Sequence, residues 1–248
     1  MNKLEDKVAL VTGAAVRIGR EIALALARAG CDIAIHYRDS ELEAESLADE
    51  IRETGRQAWL LQADLASPRA SDELMSAAWE QAGWVDILVN NAAVFRRQPF
   101  AETELEEVES IMRVNALAPL MLARAMHALA SQSPILPDNY AGRIINLLDR
   151  DIARPGSLRL PYWLSKKSLE AATLGLASEL SPRFTVNAIA PGPVLSPDAP
   201  ELKEPAGHLP LGIRPLPADI ASAVLFLAES PAITGQTIYV DGGQHLSR

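Results

Sequence analysis

The sequence contains a single cysteine, Cys31, among 248 residues. One cysteine cannot form an internal disulfide, and a chain without disulfides fits a reducing compartment. Cys31 stands just before an apolar run, which favours a small buried side chain over a nucleophile. Three of the histidines, His127, His208 and His245, have no second soft ligand at metal-binding spacing, so we expect no metal site.

Long apolar runs and basic clusters are also absent. No apolar stretch approaches the roughly 20 residues that a membrane-spanning helix needs. Residues 1–7 are polar and run straight into a strand pattern, which is unlike a secretory signal. The formal net charge is −9, and no basic cluster offsets it, so we expect neither nucleic acid nor an anionic membrane as a partner. Together these absences predict a cytoplasmic protein.

An apolar fraction of 48% is enough for a sizeable core, and short β-rich runs alternate with longer helical patterns. Strands are predicted at 8–12, 32–37, 57–62, 86–90, 143–148, 185–189 and 237–240. Helices are predicted at 17–29, 40–54, 68–82, 105–131, 162–180 and 217–228. Unbroken apolar strands such as Ile87-Leu88-Val89 indicate burial on both sheet faces. The alternation predicts an α/β fold of the doubly wound Rossmann type, with a parallel sheet flanked by helices.

No linker, low-complexity stretch or internal repeat interrupts the chain, so we predict a single domain over residues 1–248. The one irregular region, 191–215, is rich in proline and too long for an ordinary connection between elements. Loops of that length are usually functional lids or disordered segments. We interpret residues 194–215 as a lid over a substrate site.

The first predicted strand ends in a glycine turn, Thr12-Gly13-Ala14-Ala15-Val16-Arg17-Ile18-Gly19, and a helix follows at once. A glycine there lets the backbone approach a pyrophosphate, which the N–H groups and dipole of the helix then hold. Two glycines in eight residues can also be no more than a tight turn. Their place in the first βα unit favours a dinucleotide site. The candidate cofactor contacts of this turn are Gly13, Arg17, Ile18 and Gly19.

The end of the second strand indicates which dinucleotide is bound. It reads His36-Tyr37-Arg38-Asp39-Ser40. NAD sites usually place an acidic residue here for the ribose 2′-OH, whereas NADP needs a cation for the 2′-phosphate. We expect NADPH, with contacts from His36, Tyr37, Arg38 and Ser40 and from Arg17 in the preceding turn. Two other interpretations stay open, Arg38 as a solvated loop charge and Ser40 as a helix N-cap, and Asp39 keeps NADH as an alternative.

Tyr162 and Lys166 lie four residues apart at the start of a predicted helix, so both side chains lie on one helical face. A tyrosine near pKa 10 is a poor proton donor and acceptor at neutral pH until a nearby cation lowers that pKa. Lys166 can supply the cation. A Tyr-x-x-x-Lys string by itself can also be an ordinary amphipathic pair.

The ordered set of motifs resembles the short-chain dehydrogenase/reductase family over almost the whole chain. The set consists of the Thr12-Gly13 turn, Asn90-Asn91-Ala92, Asn115, Tyr162 with Lys166, and Pro191-Gly192. The resemblance implies a seven-stranded sheet in the order 3-2-1-4-5-6-7, and a homotetramer assembled through helices 105–131 and 162–180. It implies that Asn115 holds a water in a proton relay. It also implies cofactor contacts from Asp64, Leu65, Asn91, Ala92, Lys166, Pro191 and Gly192.

Two departures from the family pattern narrow the expected chemistry. Most members have a glycine where Arg17 stands and a serine where Asp149 stands. A serine hydroxyl can donate to a developing oxyanion, whereas an ionised carboxylate would repel one and can accept from N–H groups. Asp149 therefore suits a nitrogen-rich substrate. Alternatively, Asp149 is itself a protonated acid with a raised pKa beside Tyr162. The adjacent Arg150 and Asp151 are interpreted as loop charges.

These departures, with His36-Tyr37-Arg38 and Phe95 in Asn-Asn-Ala-x-x-Phe, are similar to the pteridine reductases and dihydromonapterin reductases. The resemblance implies that NADPH reduces a C=N bond of a pterin while Asp149, Tyr162 and Lys166 deliver a proton. Phe95 would sandwich the heterocycle, Arg17 would touch both cofactor phosphate and substrate, and the C-terminal Arg248 would reach a neighbouring subunit's site.

Four alternatives to this interpretation stay open. Phe95 can be a core-facing aromatic, and Asp149 an exposed residue that has lost the serine's role. The protein can instead reduce a carbonyl, such as a 3-oxoacyl thioester or another ketone, with the generic Tyr162, Lys166 and Asn115 set. Finally, it can be a nucleotide-binding regulator without turnover, although such a protein would not need Tyr162 and Lys166.

Overall fold

The structure is a computed structural model that describes residues 4–137, 139–194 and 209–247. Strands and helices alternate along these ranges, each helix carrying the chain back to the start of the next strand. The elements are β1 (Val8–Val11), α1 (Arg17–Arg28), β2 (Asp32–Tyr37), α2 (Glu41–Glu53), β3 (Ala58–Gln62), α3 (Ala70–Ala82), β4 (Ile87–Asn90), α4 (Leu105–Met112), α5 (Ala118–Gln132), β5 (Gly142–Leu147), α6 (Leu160–Glu179), β6 (Phe184–Pro191), α7 (Pro217–Ala228) and β7 (Thr237–Val240).

The strands form one seven-stranded sheet in the order β3-β2-β1-β4-β5-β6-β7. Every pair of neighbouring strands runs parallel. The strand order reverses between β1 and β4. Strand β1 is the first strand of one half of the sheet, and β4 is the first strand of the other half. The predicted doubly wound α/β fold and strand order are therefore confirmed.

Both faces of the sheet are buried, as the unbroken apolar strands predict. Successive residues of a strand point to opposite faces. Val11 and Ile33 pack on one side with α1, α2 and α7. Leu10 and Leu88 pack on the other side with α3, α5 and α6. This period-two division explains why the strands tolerate no polar face.

Most predicted elements lie within one or two residues of their observed bounds, and the long helix predicted at 105–131 is the main correction. It is divided into α4 and α5 by a π-helical turn, Arg113–Leu117. Helix α6 begins at Leu160, two residues before the predicted start, with Pro161 in its first turn, where its missing N–H costs nothing.

Two sequence predictions concern segments at the edge of the described residues. Residues 195–208 of the predicted lid 194–215 lie outside the described residues, as do His208 and Arg248. The prediction of one domain over 1–248 therefore stays a prediction. Within the described ranges, no helix is long and apolar enough to cross a membrane.

The side chain of Cys31 is fully buried. Burial raises the pKa of its thiol to about 12, so the sulfur stays protonated and packs as a small apolar group, in agreement with the sequence interpretation.

Candidate active site

A cleft of about 670 Å³ opens at the carboxyl ends of β1, β2 and β4. This is the point where the strand order reverses, the usual place for a nucleotide in a doubly wound sheet. The cleft brings together most of the residues singled out in the sequence. Those that line it are Gly13, Arg17, Ile18, Gly19, His36, Tyr37, Arg38, Ser40, Asp64, Leu65, Asn91, Ala92, Phe95 and Tyr162.

The two glycines of the first turn are required by close packing. Gly13 has a φ of +62°, and a Cβ there would lie 3.1 Å from the Cα of Ala92. A Cβ on Gly19 would lie 2.1 Å from the carbonyl oxygen of Gly13, well inside van der Waals contact. The turn is therefore pressed against both α1 and the segment after β4, which opens the space beyond it for a ligand.

The start of α1 is free to receive an anion. No side chain caps its first N–H groups, which carry the positive end of the helix dipole. Arg17 is the first residue of this helix and is exposed. Its φ of +58° lies in the left-handed region, which for a non-glycine residue costs about 1 kcal/mol or more. Among the described residues, Arg17 has no ion-pair partner.

His36 is not placed as a cation for a phosphate group. Its ring is 3% exposed, and its Nδ1 accepts a hydrogen bond of 3.0 Å from the backbone N–H of Gly13. Its Nε2 lies 3.1 Å from the carbonyl oxygen of Ala63. Burial lowers the pKa of His36 to about 4. His36 therefore supplies no positive charge to a 2′-phosphate. The expectation of a cation for that phosphate rests on Arg17 and Arg38, which line the same cleft.

Arg38 and Ser40 lie at the open edge of the cleft. The Arg38 side chain is 57% exposed, and its Nε lies 2.6 Å from the Asp39 carboxylate. Asp39 thus pairs with the arginine, which leaves the cation in place at the rim. Ser40 precedes α2, but its hydroxyl caps no N–H group of that helix, so it is free to face a ligand.

Asn91 and Ala92 are tied to the glycine turn by hydrogen bonds from several directions. The Asn91 Nδ2 donates to the carbonyl oxygens of Thr12 and Gly13, at 2.9 and 3.0 Å. The Thr12 hydroxyl oxygen accepts from the backbone N–H groups of Asn91 and Ala92. These bonds fix the cleft wall between β1 and β4.

Tyr162 and Asp149 are joined at the inner end of the cleft. The Tyr162 hydroxyl donates to Asp149 Oδ2 at 3.0 Å, and Asp149 Oδ1 accepts from the backbone N–H of Asp151 at 2.8 Å. Both oxygens of Asp149 therefore accept, which is the geometry of a carboxylate. Burial and the Asp149 charge raise the pKa of Tyr162 well above its usual value.

Lys166 lies beneath this pair. Its Nζ donates to the carbonyl oxygen of Leu147 at 2.7 Å and lies 5.9 Å from the centroid of the Tyr162 ring. Burial lowers the pKa of Lys166 to about 8, against the opposing effect of Asp149. The spacing of the two residues predicts that Lys166 lowers the pKa of Tyr162, whereas the net direction in the structure is upward, because burial and the bonded Asp149 are the larger effects.

Asn115 lies in the π-helical turn and is completely buried. Its side chain pairs with the backbone of Val94, accepting from the N–H at 2.8 Å and donating to the carbonyl oxygen at 2.9 Å. It also donates to the hydroxyl of Ser165. Pro119 stands four residues later and has no N–H, so the α-helical hydrogen bond to the Asn115 carbonyl cannot form. That proline is the sequence signal for the turn, and the prediction of a continuous helix missed it.

Phe95 lies over the mouth of the cleft. Its side chain is 49% exposed, and its ring stands edge-on to Tyr162, with the centroids 4.8 Å apart at 88°. The alternative of a core-facing aromatic is therefore wrong. Phe95 offers an apolar wall beside the Tyr162 ring.

The loop after β5 holds a residue whose importance the sequence did not indicate. Asp151 is 8% exposed, and its carboxylate lies 2.7 Å from Arg159 Nη1 and 3.4 Å from Arg150 Nε. Its carbonyl oxygen accepts from the indole N–H of Trp163. The interpretation of Asp151 as a loop charge is therefore wrong, and the residue fastens the turn carrying Asp149 to the start of α6.

Gly192 follows β6 and packs tightly on β7. A Cβ there would lie 2.8 Å from the Cα of Asp241, and its N–H donates to the carbonyl oxygen of Val240. Pro191 ends β6 just before it. Among the described residues, no group of three or more His, Cys, Asp or Glu side chains is arranged to hold a metal ion.

Comparisons with known proteins agree with this geometry. A family model described as "Enoyl-(Acyl carrier protein) reductase" matches residues 13–245. The 3-oxoacyl-[acyl-carrier-protein] reductase of Synechocystis sp. is 33% identical, over 98% of this chain and 98% of its own. The chain belongs to the short-chain dehydrogenase/reductase family. Another relative, the 3-oxoacyl-[acyl-carrier-protein] reductase FabG of Staphylococcus aureus, is 35% identical, over 97% of this chain and 98% of its own.

Solved structures of the short-chain dehydrogenase/reductase family include similar chains with bound cofactor. FolM alternative dihydrofolate reductase 1 from Brucella canis, complexed with NADP, is 35% identical, with a TM-score of 0.89 and coverage of 98% of this chain and 95% of that one. A blue fluorescent protein from a metagenomic library, in complex with NADPH, is 36% identical, with a TM-score of 0.88 and coverage of 98% and 99%. This chain is an oxidoreductase that uses NADPH.

The cleft fits this cofactor by its own features. The uncapped start of α1 suits a pyrophosphate, and the exposed guanidinium groups of Arg17 and Arg38 line the same space. Asp64 and Leu65 line it at the end of β3, where the adenine would lie according to the family resemblance.

Proposed function

We propose that this reductase converts a dihydropterin to a tetrahydropterin with NADPH. The observation that carries the proposal is the hydrogen bond from the Tyr162 hydroxyl to the carboxylate of Asp149. Asp149 occupies the position of the family's serine. A carboxylate at this point sets the kind of substrate that can lie against Tyr162.

The charge of Asp149 favours a nitrogen heterocycle over a ketone. Reduction of a ketone places negative charge on oxygen, which a serine hydroxyl stabilises and a neighbouring carboxylate repels. A pterin instead presents ring N–H and amino groups, which a carboxylate can accept. Asp149 is half-buried, so the repulsion or attraction acts in a medium of reduced polarity.

The protein's own groups can supply the proton for this reduction. NADPH, when bound, supplies a hydride for the carbon of the C=N bond, and the nitrogen then needs one proton. Tyr162 holds a proton on its hydroxyl because burial and Asp149 raise its pKa, so the proton is present at neutral pH. Lys166, charged below a pKa of about 8, favours the tyrosinate left behind. We assign Asn115 to the water that returns the proton, as the family resemblance implies.

Phe95 and Arg17 are proposed as the substrate-binding residues. Phe95 is exposed at the mouth of the cleft beside Tyr162, where an aromatic ring can cover one face of a flat heterocycle. Arg17 lines the same cleft. The strained backbone of Arg17 supports a functional role, since a glycine at this position would remove the strain.

The relatives of this chain support two candidate substrates. FolM of Brucella canis is named an alternative dihydrofolate reductase, and dihydrofolate contains a dihydropterin. The Synechocystis and Staphylococcus relatives are named 3-oxoacyl-[acyl-carrier-protein] reductases. Reduction of a 3-oxoacyl thioester is therefore the second candidate, supported also by the Tyr162, Lys166 and Asn115 set.

A substitution at position 149 separates the two candidates. Purified wild type and Asp149→Ser are assayed for kcat/KM with dihydrobiopterin and with an acetoacetyl thioester, following NADPH absorbance. The proposal expects the substitution to reduce pterin turnover at least about 100-fold, the usual contribution of a positioned proton-transfer group, and to leave thioester turnover unchanged or raised. Equal losses with both substrates would contradict it.

We propose a homotetramer in a cytoplasmic location, both of which stay predictions from the family resemblance. The helices assigned to the contact expose apolar side chains in the described chain. They are Leu105, Leu117, Met121, Leu164 and Leu174. Exposed apolar positions on adjacent helices favour an intersubunit contact. Analytical ultracentrifugation at micromolar concentration should give a species of four chains, whereas a monomer would contradict the proposal.

A further inference from the structure

His36 connects three segments that form the adenosine half of the cleft. Its Nδ1 accepts from the Gly13 N–H at 3.0 Å, and its Nε2 lies 3.1 Å from the Ala63 carbonyl oxygen. Its own carbonyl oxygen accepts from the N–H of Ala14. The residue at the end of β2 therefore holds the turn after β1 on one side and the segment after β3 on the other.

These bonds fix the protonation state of the ring. An N–H group can donate only to an unprotonated nitrogen, so Nδ1 carries no proton. The Ala63 carbonyl can only accept, so Nε2 must carry the proton. The ring is neutral with the proton on Nε2, and burial, which lowers its pKa to about 4, supports the same state.

The bonds also determine which N–H groups remain for a phosphate. Gly13 and Ala14 both donate to His36 and are not available to an anion. The Gly13 carbonyl is held from the opposite side by Asn91. The anion site is thereby shifted to the uncapped N–H groups at the start of α1.

We propose that His36 is a positioning residue for NADPH. Its neutral ring links the neighbouring segments and holds the Gly13 turn in place beneath the cofactor's pyrophosphate. It does not contact the 2′-phosphate as a cation. The link to Gly13 sets the affinity for the cofactor, whereas the link to Ala63 holds the ring and its tautomer.

Two polar substitutions separate the links. In His36→Asn, the side-chain oxygen can occupy the place of Nδ1 and accept from Gly13, but the side chain is too short to reach Ala63. In His36→Gln, the side chain reaches the place of Nε2 and can donate to Ala63, but it leaves the Gly13 N–H without its acceptor. His36→Phe keeps the ring and removes both bonds. His127→Phe is the matched control, because His127 lies on α5 against Phe184 and outside the cleft.

The measurement is the Kd for NADPH, by fluorescence titration, together with the melting temperature of each variant. In His36→Gln and His36→Phe the Gly13 N–H loses its acceptor, and this loss is expected to raise the Kd for NADPH about tenfold. His36→Asn should stay within about threefold of wild type, as should His127→Phe. The proposal is overturned if His36→Asn binds as weakly as His36→Gln, or if Kd follows the melting temperature across all four variants. If His36→Phe does not fold, the Asn and Gln variants alone decide.

A spectroscopic test addresses the tautomer directly. In protein labelled with 15N at histidine, His36→Asn identifies the His36 signals by their loss. At pH 7 the Nδ1 of His36 should show the shift of an unprotonated imidazole nitrogen and Nε2 that of a protonated one, and both should stay unchanged when NADPH is added. A protonated Nδ1 would overturn the proposal.

Discussion

The Tyr162 hydroxyl and the Asp149 carboxylate lie 3.0 Å apart at the inner end of the cofactor cleft. The tyrosine is buried, and the carboxylate accepts a hydrogen bond from its hydroxyl and raises its pKa. A tyrosine in this state donates a proton readily only when its partner changes. A substrate N–H group that binds Asp149 would compete for the carboxylate and release the Tyr162 hydroxyl toward the reacting nitrogen.

Removing the Tyr162 hydroxyl should abolish the chemistry and leave the cofactor bound. Tyr162→Phe is expected to lower kcat by about 100-fold to 10,000-fold, the range for a lost general acid. The Kd for NADPH should change by less than about threefold, because the glycine turn and the start of α1 are untouched. Stopped-flow kinetics and fluorescence titration measure the two quantities. A large loss of NADPH binding would show that Tyr162 is structural.

The charge on Lys166 should set the alkaline limit of activity. Lys166 has a pKa of about 8, so its charge is present below pH 8 and lost above it. The log of kcat/KM, which reports the free enzyme, should therefore fall as the pH rises through about 8. Because the Asp149 charge raises the pKa of Lys166, Asp149→Ser should move this limb to lower pH. A limb that stays in place in Asp149→Ser would contradict the assignment.

Phe95 should contribute to substrate binding and little to stability. Its side chain is 49% exposed, so Phe95→Ala loses little buried area. The KM for a dihydropterin should rise roughly threefold to tenfold with the loss of an aromatic contact, while the melting temperature stays near that of wild type. Phe100→Ala is the matched control, because Phe100 is 72% exposed and lies outside the cleft. Equal kinetic effects of the two substitutions would refute the role.

The neutral state of His36 should make the protein less stable in acid. Its pKa is about 4 in the folded protein and about 6.5 when unfolded, so the unfolded chain binds the proton more tightly. The stabilisation is complete above pH 6.5 and is lost as the pH falls toward 4. Linkage gives a loss of about 3 kcal/mol over that interval. Urea unfolding of wild type and His36→Asn at pH 7 and pH 4.5 should show the difference between them shrinking in acid, and a constant difference would contradict it.

Much of the fold could be predicted because the sequence repeats one pattern. The buried parallel strands are apolar on both faces, so β2 and β7 were placed at their observed bounds. Gly13 and Gly19 were recognised because a close backbone approach requires glycine at those positions. The split between α4 and α5 was missed, although Pro119 removes the N–H that Asn115 would need.

Other parts of the site depend on contacts between segments that are distant in the sequence. His36 was interpreted as a cofactor contact because it lies near the end of β2, and its two bonds to Gly13 and Ala63 become visible only when β1, β2 and β3 are aligned. Asp151 looked like a loop charge because its partner Arg159 follows a bend in the chain. The pKa of Tyr162 was expected to fall because the four-residue spacing places the Lys166 cation nearby. That spacing does not reveal burial, which is the larger effect and raises the pKa.

The central claim is the pterin substrate, and the most direct test is a comparison of substrates with the wild-type protein. NADPH absorbance is followed with dihydrobiopterin, dihydromonapterin and an acetoacetyl thioester in parallel. The product is identified by mass spectrometry. A turnover on the order of 10 s⁻¹ would be an ordinary enzymatic rate. We predict NADPH oxidation with the dihydropterins, a tetrahydropterin product and little reaction of the thioester. Oxidation with the thioester alone would contradict the claim, while leaving the fold, the family and the cofactor unchanged.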